Sequence, residues 1–488
     1  MPEAEGLPAQ GWSGDDERPD RLHVADPPRP PGAPWLPDAA LVWTAGAGLL
    51  LLLLGALVGR ADVALLGVAP TVTAAYAVWV RPRGEVWVDA VDAAAVDALQ
   101  GAPDEGAPDA GAPGEVAVRR PVGGAVVDEL CGRYRLLVPP GCTAVRLRAA
   151  RVEHGSTEVL VAVPGRRVLE IAAASVRTGP QPLFRIEHQG LGAAGMLVGE
   201  VGVQAPELVT VLAHGRGMPA LPLPQRLRGL TGQHDSRRPG QGGGLRDVHP
   251  FTPGDSVRQV DWKVTARRSP GLAQLYVRRT MALGEAAVVL VLDSRDDVGP
   301  DPVTWGGIQS IRPDDATSLD IARQAALSVA EGYLAVGDRV AVEDLGVRRR
   351  TLRPGTGRRH LDRVVQQLAM VAPEGEPSRR VRPPRLSSAS LVYVFSTFLD
   401  PEAADMARAW RRSGTTVLAV DVLPRVRTGR LDARHWLAYR LVTLERRDRL
   451  DELSAAGVEV VHWADVAGTT QVLQRAARRS HRRPGTLR

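Results

Sequence analysis

Residues 286–297 read AAVVLVLDSRDD. The run 287–292 is apolar at every position, the pattern of a strand buried on both faces of a parallel sheet. Downstream, strands and helices alternate. A helix is predicted over 318–334, with Leu319, Ala322, Ala326, Val329 and Tyr333 at helical spacing. Strands follow at 338–344, 347–352, 391–396, 415–422 and 458–463, and helices at 359–370, 402–412, 438–455 and 469–478. This alternation predicts a doubly wound α/β domain over 286–480, closed by a basic tail at 481–488.

Upstream lies a different kind of segment. Residues 244–279 read GLRDVHPFTPGDSVRQVDWKVTARRSPGLAQLYVRR. Arg246, Asp255, Arg258, Asp261, Lys263, Arg267, Arg278 and Arg279 surround one tryptophan, Trp262, and Pro253-Gly254-Asp255 marks a turn. Lys263 is the only lysine of the chain, and asparagine is absent. A composition that uses arginine almost everywhere keeps a lysine where a compact ammonium serves and a planar guanidinium does not. The glycine cluster 240–244 precedes no Lys-Ser/Thr pair, so it reads as a flexible loop and not a phosphate cradle. A strand is predicted over 274–280.

These residues resemble the signature of domain-of-unknown-function family number 58. The resemblance rests on Arg246, Pro253-Gly254-Asp255, Arg258, Val260-Asp261-Trp262-Lys263, Ala266-Arg267 and Val277-Arg278. It implies a bacterial protein that works beside a MoxR-type AAA+ ATPase, and a C-terminal domain similar to a von Willebrand factor A domain. That domain type holds a divalent cation at the strand ends through an Asp-x-Ser-x-Ser loop, a threonine and a later aspartate, oxygen ligands that suit Mg²⁺. Here the loop reads Asp293-Ser294-Arg295-Asp296-Asp297, so Asp293 matches while Arg295 and Asp297 replace both serines. Thr356 is the candidate threonine, and Ser396-Thr397 stands after the fourth strand. Arg295 repels a cation at short range. No cofactor is expected; Mg²⁺ is the sole candidate, with Asp293, Asp297 and Thr356 as ligands, and pairing of Asp293 with Arg295 is the alternative. Asp314, Asp315 and Asp320 read as helix-capping groups.

Before the signature the chain divides by composition. Residues 1–34 form a polar, proline-rich tail with the pattern of disorder. Within 35–83, the apolar runs 39–59 and 63–80 are each long enough to span a bilayer, with Arg60 and Asp62 in the turn between them. Trp35 and Trp43 near the entry, and Tyr76 and Trp79 near the exit, read as one aromatic belt. Arg81 and Arg83 at the exit, and Arg18, Arg21 and Arg29 before the entry, place both termini and the soluble domains in the cytoplasm. Residues 84–114 carry the near-repeat GAPDEGAPDAGAPGE and read as a flexible linker. Residues 115–223 hold short alternating runs at about ten-residue spacing, the pattern of a β-sandwich-like domain. A connector, 224–285, carries the signature. Cys131 and Cys142 are expected as two buried thiols.

The fold class is therefore multidomain α/β plus all-β: a two-helix transmembrane hairpin, a β-sandwich-like domain and a doubly wound, von Willebrand A-like domain. The expected function is a membrane-anchored, non-enzymatic docking or adaptor protein for a MoxR-type ATPase. Asp255 and Asp261 are expected to pair with Arg246, Arg258 or Arg267, with Trp262 as an apolar anchor. A hydrolase using the signature acids and Lys263 is the first alternative, although no nucleophile stands beside a histidine base. A purely structural membrane scaffold is the second. Net charge is a modest +6. The arginine-rich C-terminus lacks interleaved aromatics, so no nucleic-acid partner is expected.

Overall fold

The computed structural model describes residues 35–90, 119–122, 125–151, 155–162, 167–218, 220–229, 232–307, 309–346, 351–373, 384, 386 and 390–481. The predicted tail 1–34, residues 91–114 of the predicted linker 84–114 and residues 482–488 of the basic tail 481–488 lie outside these residues.

The described chain opens with β1 (Leu36–Pro37), α1 (Ala39–Val58) and α2 (Ala61–Trp79). Asp38 caps α1, and Gly59, at φ 70°, ends it in the left-handed conformation that lets the chain reverse at once. The helices pack through glycine. A Cβ on Gly55 would lie 2.4 Å from the Ala64 backbone, and one on Gly67 would lie 2.5 Å from the Gly48 carbonyl. Both helices are long and apolar enough to cross a membrane. Pro70 sits inside α2 without ending it. Trp43, Tyr76 and Trp79 are exposed, as belt residues require, but Trp35 is not.

The second unit is antiparallel β. It comprises β2 (Trp87–Ala90), β3 (Arg119–Val122), β4 (Ala125–Leu137), β5 (Ala144–Ala150), β6 (Ser156–Ala162), β7 (Arg167–Ser175), β8 (Gly179–Pro182), β9 (Arg185–Leu191), β10 (Leu197–Val198), β11 (Gly202–Gln204) and β12 (Leu208–Val211). One sheet runs β1-β10-β9-β5-β6 with β11 on β9, another β2-β4-β3 with β7 on β4, and β8 pairs with β12. Alternate residues of β4 (Leu130, Tyr134, Leu136) meet Val145 and Leu147 of β5 and Ile186 of β9 in one apolar core.

Two boundaries move. Trp87–Ala90, read as linker, is a strand paired with Leu137–Tyr134. Trp35, read as a membrane-belt residue, is buried in the β core, with its indole N–H donating to the Gly84 carbonyl at 2.8 Å. The hairpin is thereby fastened to the β unit. Arg81 donates to the Trp35 carbonyl at 2.6 Å, and the Asp38 amide donates to the Met196 carbonyl at 2.9 Å. Cys131 and Cys142 are not joined in a disulfide; Cys142 is buried as expected, but Cys131 is exposed.

Next comes a long ribbon, β13 (His234–Pro250) and β14 (Tyr276–Gly284), with the short helix α3 (Trp262–Arg268) between its strands. The pairing runs from His234↔Gly284 at the base to Pro250↔Tyr276 at the far end, with register shifts between Asp235 and Asp247. The glycine cluster read as a loop is therefore part of a bulged strand. Its close approach to the partner explains the glycines: a Cβ on Gly240 would lie 2.4 Å from the Ala282 backbone. Nine residues of β14 reach roughly 30 Å from the base.

The last unit holds β15 (Ala287–Leu292), α4 (Ser318–Ala335), β16 (Arg339–Asp344), β17 (Leu352–Gly355), α5 (Arg358–Ala369), β18 (Leu391–Ser396), α6 (Glu402–Arg412), β19 (Thr416–Asp421), α7 (Ala433–Ala455), β20 (Glu459–His462) and α8 (Val466–His481). The sheet order is β17-β16-β15-β18-β19-β20, all parallel except β17. Counted from β15 this is the 3-2-1-4-5-6 order of doubly wound sheets. Separate apolar clusters cover the two faces, which is why β15 and β18 are buried at every position. The strand predicted at 347–352 appears at Leu352–Gly355; residues 347–350 lie outside the described chain.

The β and α/β units meet at the carboxyl end of the sheet. Thr178 N and Oγ both donate to Asp320 Oδ1 at 2.7 Å, and Arg323 donates to the Thr178 carbonyl at 2.8 Å. Arg177 Nε lies 2.9 Å from Asp320. Beyond β12 the chain straps across α4: Arg216 N donates to Ser328 Oγ at 2.9 Å, and Tyr333 OH donates to the Pro222 carbonyl at 2.5 Å.

Candidate functional site

The signature occupies the far end of the ribbon. Thr252-Pro253-Gly254-Asp255 forms a turn closed by the Asp255 amide donating to the Thr252 carbonyl at 3.0 Å. Proline precedes Gly254, whose φ of 102° is left-handed, so the turn needs this dipeptide. Asp255 accepts from Thr252 N at 2.9 Å, Thr252 Oγ at 2.8 Å and Arg279 Nη2 at 3.2 Å. His249 Nε2 lies 3.5 Å away. The Thr252 donors, with Arg279 behind them, hold the Asp255 carboxyl down to a pKa of about 2.

Asp261 caps α3, accepting from Val264 N at 3.0 Å, while its own amide donates to the Tyr276 carbonyl at 2.8 Å. Arg278 stands 3.7 Å from its carboxylate. Val260 bridges to Val277, and both are buried. Buried Thr265 Oγ accepts from Tyr276 N at 3.0 Å. The expected partners of the two aspartates are thus corrected. Neither Arg246, Arg258 nor Arg267 pairs with them; Arg279 and Arg278 do. These come from the return strand, opposite Asp247 and Val248 in register, a proximity that chain order conceals.

Folded this way, the tip turns the remaining signature side chains outward. Trp262 is 60 % exposed, and Val257 and Leu272 of the same inter-strand segment are exposed as well. Arg258, Lys263 and Arg267 are exposed, with no acidic partner among the described residues. Arg246 is half engaged, 3.7 Å from Asp247. Leu272 adopts φ 55°, a left-handed conformation costly for a branched side chain and typical of functional loops. Sequence reading missed Val257, Leu272 and Thr252. Nothing in their residue types singled them out.

The second cluster lies at the carboxyl ends of β15 and β18. Arg295 has 4 % of its side chain exposed. Its Nε and Nη2 donate to Asp293 Oδ1 and Oδ2, both at 2.8 Å, in a bidentate fork. It also reaches Asp400 at 3.0 Å and Glu402 at 2.5 Å. Burial opposes the guanidinium charge, but Asp293 and Asp400 outweigh it and raise its pKa. Ser396 Oγ donates to Asp293 Oδ2 at 2.7 Å. Burial, reinforced by Asp293 and Asp400, lifts the neighbouring Asp296 to about 7.

The three candidate metal ligands are not brought together. Both Asp293 oxygens belong to Arg295. Asp297 instead accepts from Leu319 N at 3.1 Å and faces Arg177 at 3.5 Å. Burial, with Asp320 next, raises its pKa. Thr356 follows Gly355, which pairs with Val340 and so lies level with Val288, five residues before Asp293. At about 3.3 Å per residue that is roughly 17 Å away, at the opposite end of the sheet. A divalent cation would have to displace Arg295 to reach Asp293. Of the predicted capping acids, Asp320 closes a capping box with Thr317, while Asp315 pairs with Arg427.

Residues 247–428 match the family model described as Protein of unknown function DUF58. No curated protein and no solved structure matches the chain. The matched segment takes in the ribbon from Asp247 outward and the α/β unit through β19. It leaves out the hairpin, the β unit, α7, β20 and α8. The segment 247–428 is thus similar to the family described as protein of unknown function DUF58, and the signature resemblance falls within it.

Proposed function

We propose that this chain is a membrane-anchored, non-enzymatic docking protein whose ribbon tip engages a MoxR-type AAA+ ATPase. One observation carries the reading. The signature residues that hydrogen-bond do so within the ribbon, and Trp262 is left outward with Arg258, Lys263 and Arg267. A large exposed aromatic ringed by uncommitted cations is the composition of a binding hot spot for an acidic partner surface. The same bonding leaves Asp255 and Asp261 committed to a turn and a helix cap, which speaks against their use as acid and base in a hydrolase.

The α/β unit we read as von Willebrand A-like. Its strand order and the Asp293 loop support this, with the Arg295 guanidinium standing where that domain type holds a cation. Both termini and the soluble units are assigned to the cytoplasm, because Arg81 and Arg83 flank the exit of α2.

The test is co-purification of a MoxR-type ATPase with the full-length chain in mild detergent, wild type beside Trp262→Ala. Because Trp262 is exposed, the variant should keep the wild-type melting temperature and lose the ATPase. Equal capture by both would refute docking through the tip.

A further inference from the structure

Helix α7 runs for 23 residues, but only Leu450 and Leu453 of it are buried. Its second half packs on the sheet. Arg446 donates to the Thr397 carbonyl at 2.7 Å, and Arg449 to the Phe398 carbonyl at 2.5 Å, just past the carboxyl end of β18. Residues 433–445 therefore extend about 20 Å beyond that end, at 1.5 Å per residue, with one side resting on Trp305, whose ring lies 6.0 Å from that of Tyr439. Along this projecting half Leu437, Leu441 and Leu444, at i, i+4 and i+7, are 61, 56 and 53 % exposed, and Trp436 is exposed with them. Contiguous exposed apolar stripes mark interaction surfaces.

Charge and placement indicate the partner. Arg430, Arg434 and Arg447 are exposed without an acidic partner among the described residues. Arg440 is exposed and lies over the Trp436 ring at 5.4 Å. Apolar stripe, tryptophan and flanking arginines are the composition of a helix that lies in a bilayer interface. The end from which α7 projects is also the end where Arg177 and Thr178 attach the β unit. That unit carries the membrane hairpin across β9, at Met196. Seven residues of β9 span roughly 23 Å, comparable to the projection of α7.

We propose that the amino-terminal half of α7 docks on the anionic surface of the bilayer that holds the hairpin. It forms a second, peripheral attachment outside the family-matched segment. The inference rests on membrane insertion of α1 and α2, and is independent of the ribbon tip. The hairpin raises the local concentration of bilayer surface, so a modest apolar stripe suffices.

The test places a polarity-sensitive fluorophore at Leu441→Cys in a Cys131→Ser background. The full-length chain is reconstituted in phosphatidylcholine vesicles, with or without phosphatidylglycerol, containing lipids spin-labelled high on the acyl chain. Leu53→Cys in α1 reports hairpin insertion, and Leu272→Cys on the ribbon reports water. The expected result is a shift to shorter wavelength and loss of fluorescence at position 441 in the anionic vesicles. Position 272 should stay unquenched, and the loss should weaken when Arg430, Arg434 and Arg440 become Gln. An unquenched, water-like signal at 441 beside a quenched 53 would overturn the proposal. So would a shift at 441 that follows protein density and ignores the lipid quencher, which would mean that a second copy covers the stripe. No quenching at 53 would overturn membrane insertion and the proposal together, leaving the tip reading untouched.

Discussion

At the residue scale, Arg295 and Asp255 carry the sharpest expectations. Arg295 neutralises a buried acid cluster through its fork to Asp293. Removing one partner of such a buried pair leaves uncompensated charge and costs about 3–5 kcal/mol. Arg295→Ala should lower the urea midpoint of the α/β unit accordingly. Arg295→Lys should restore only part of it, because an ammonium cannot bind both carboxylate oxygens in plane. An unchanged midpoint for Arg295→Ala would show that the cluster is solvated. Asp255 sets a pH dependence. Its folded pKa of about 2 lies below its ordinary 3.8, so its contribution is present above 3.8 and is lost as pH falls through about 2. Protection of the Thr252–Asp255 turn amides, taken relative to the unstructured chain at the same pH, should fall across that window and be low already at neutral pH in Asp255→Asn. A flat profile in the wild type would contradict the assigned bonds.

At the element scale, legibility followed periodicity. The α/β helices and strands were readable because each buries a regular face, and α5 and α6 appear within a residue or two of their expected bounds. The helices α1 and α2 were readable from their continuous apolar runs. The ribbon was not. Pro239 and the glycines through Gly244 lack both alternation and β propensity, and pairing with 276–284 overrides them. Trp35 was misplaced because an aromatic beside an apolar run fits a membrane belt as well as a core. The pairing of Asp255 with Arg279 depended on a register that only the folded ribbon sets. The hairpin offers its own test. Gly55→Leu would drive a side chain into the Ala64 backbone, so the α1–α2 contact must open. The distance between spin labels at the exposed positions Leu50 and Leu66 should lengthen relative to the wild-type background; an unchanged distance would mean that the helices pack elsewhere.

At the scale of the whole molecule, two attachments define the arrangement. One fastens the hairpin to the β unit through Trp35 and Asp38; the other fastens the β unit to the carboxyl end of the sheet through Arg177 and Thr178. The signature lies at neither, but on a ribbon rooted near Asp338 at the opposite end of the sheet, where His234 Nε2 meets Asp338 at 2.9 Å. Arg177→Ala combined with Thr178→Val takes the Arg177 guanidinium and the Thr178 hydroxyl away from Asp320 and leaves only the Thr178 amide of that clasp segment. It should raise hydrogen exchange in 175–182 and at the start of α4 while leaving the ribbon unchanged. Spread of the change into residues 247–279 would mean that the tip and the clasp are coupled, and not independent as their separation implies.

The central claim is that the tip is the working surface. The most direct measurement is hydrogen–deuterium exchange on the full-length chain in nanodiscs, with and without a purified MoxR-type ATPase. The account predicts protection confined to residues 251–275, abolished by Trp262→Ala. Protection at the Asp293–Arg295 end of the sheet with an unprotected tip would contradict it.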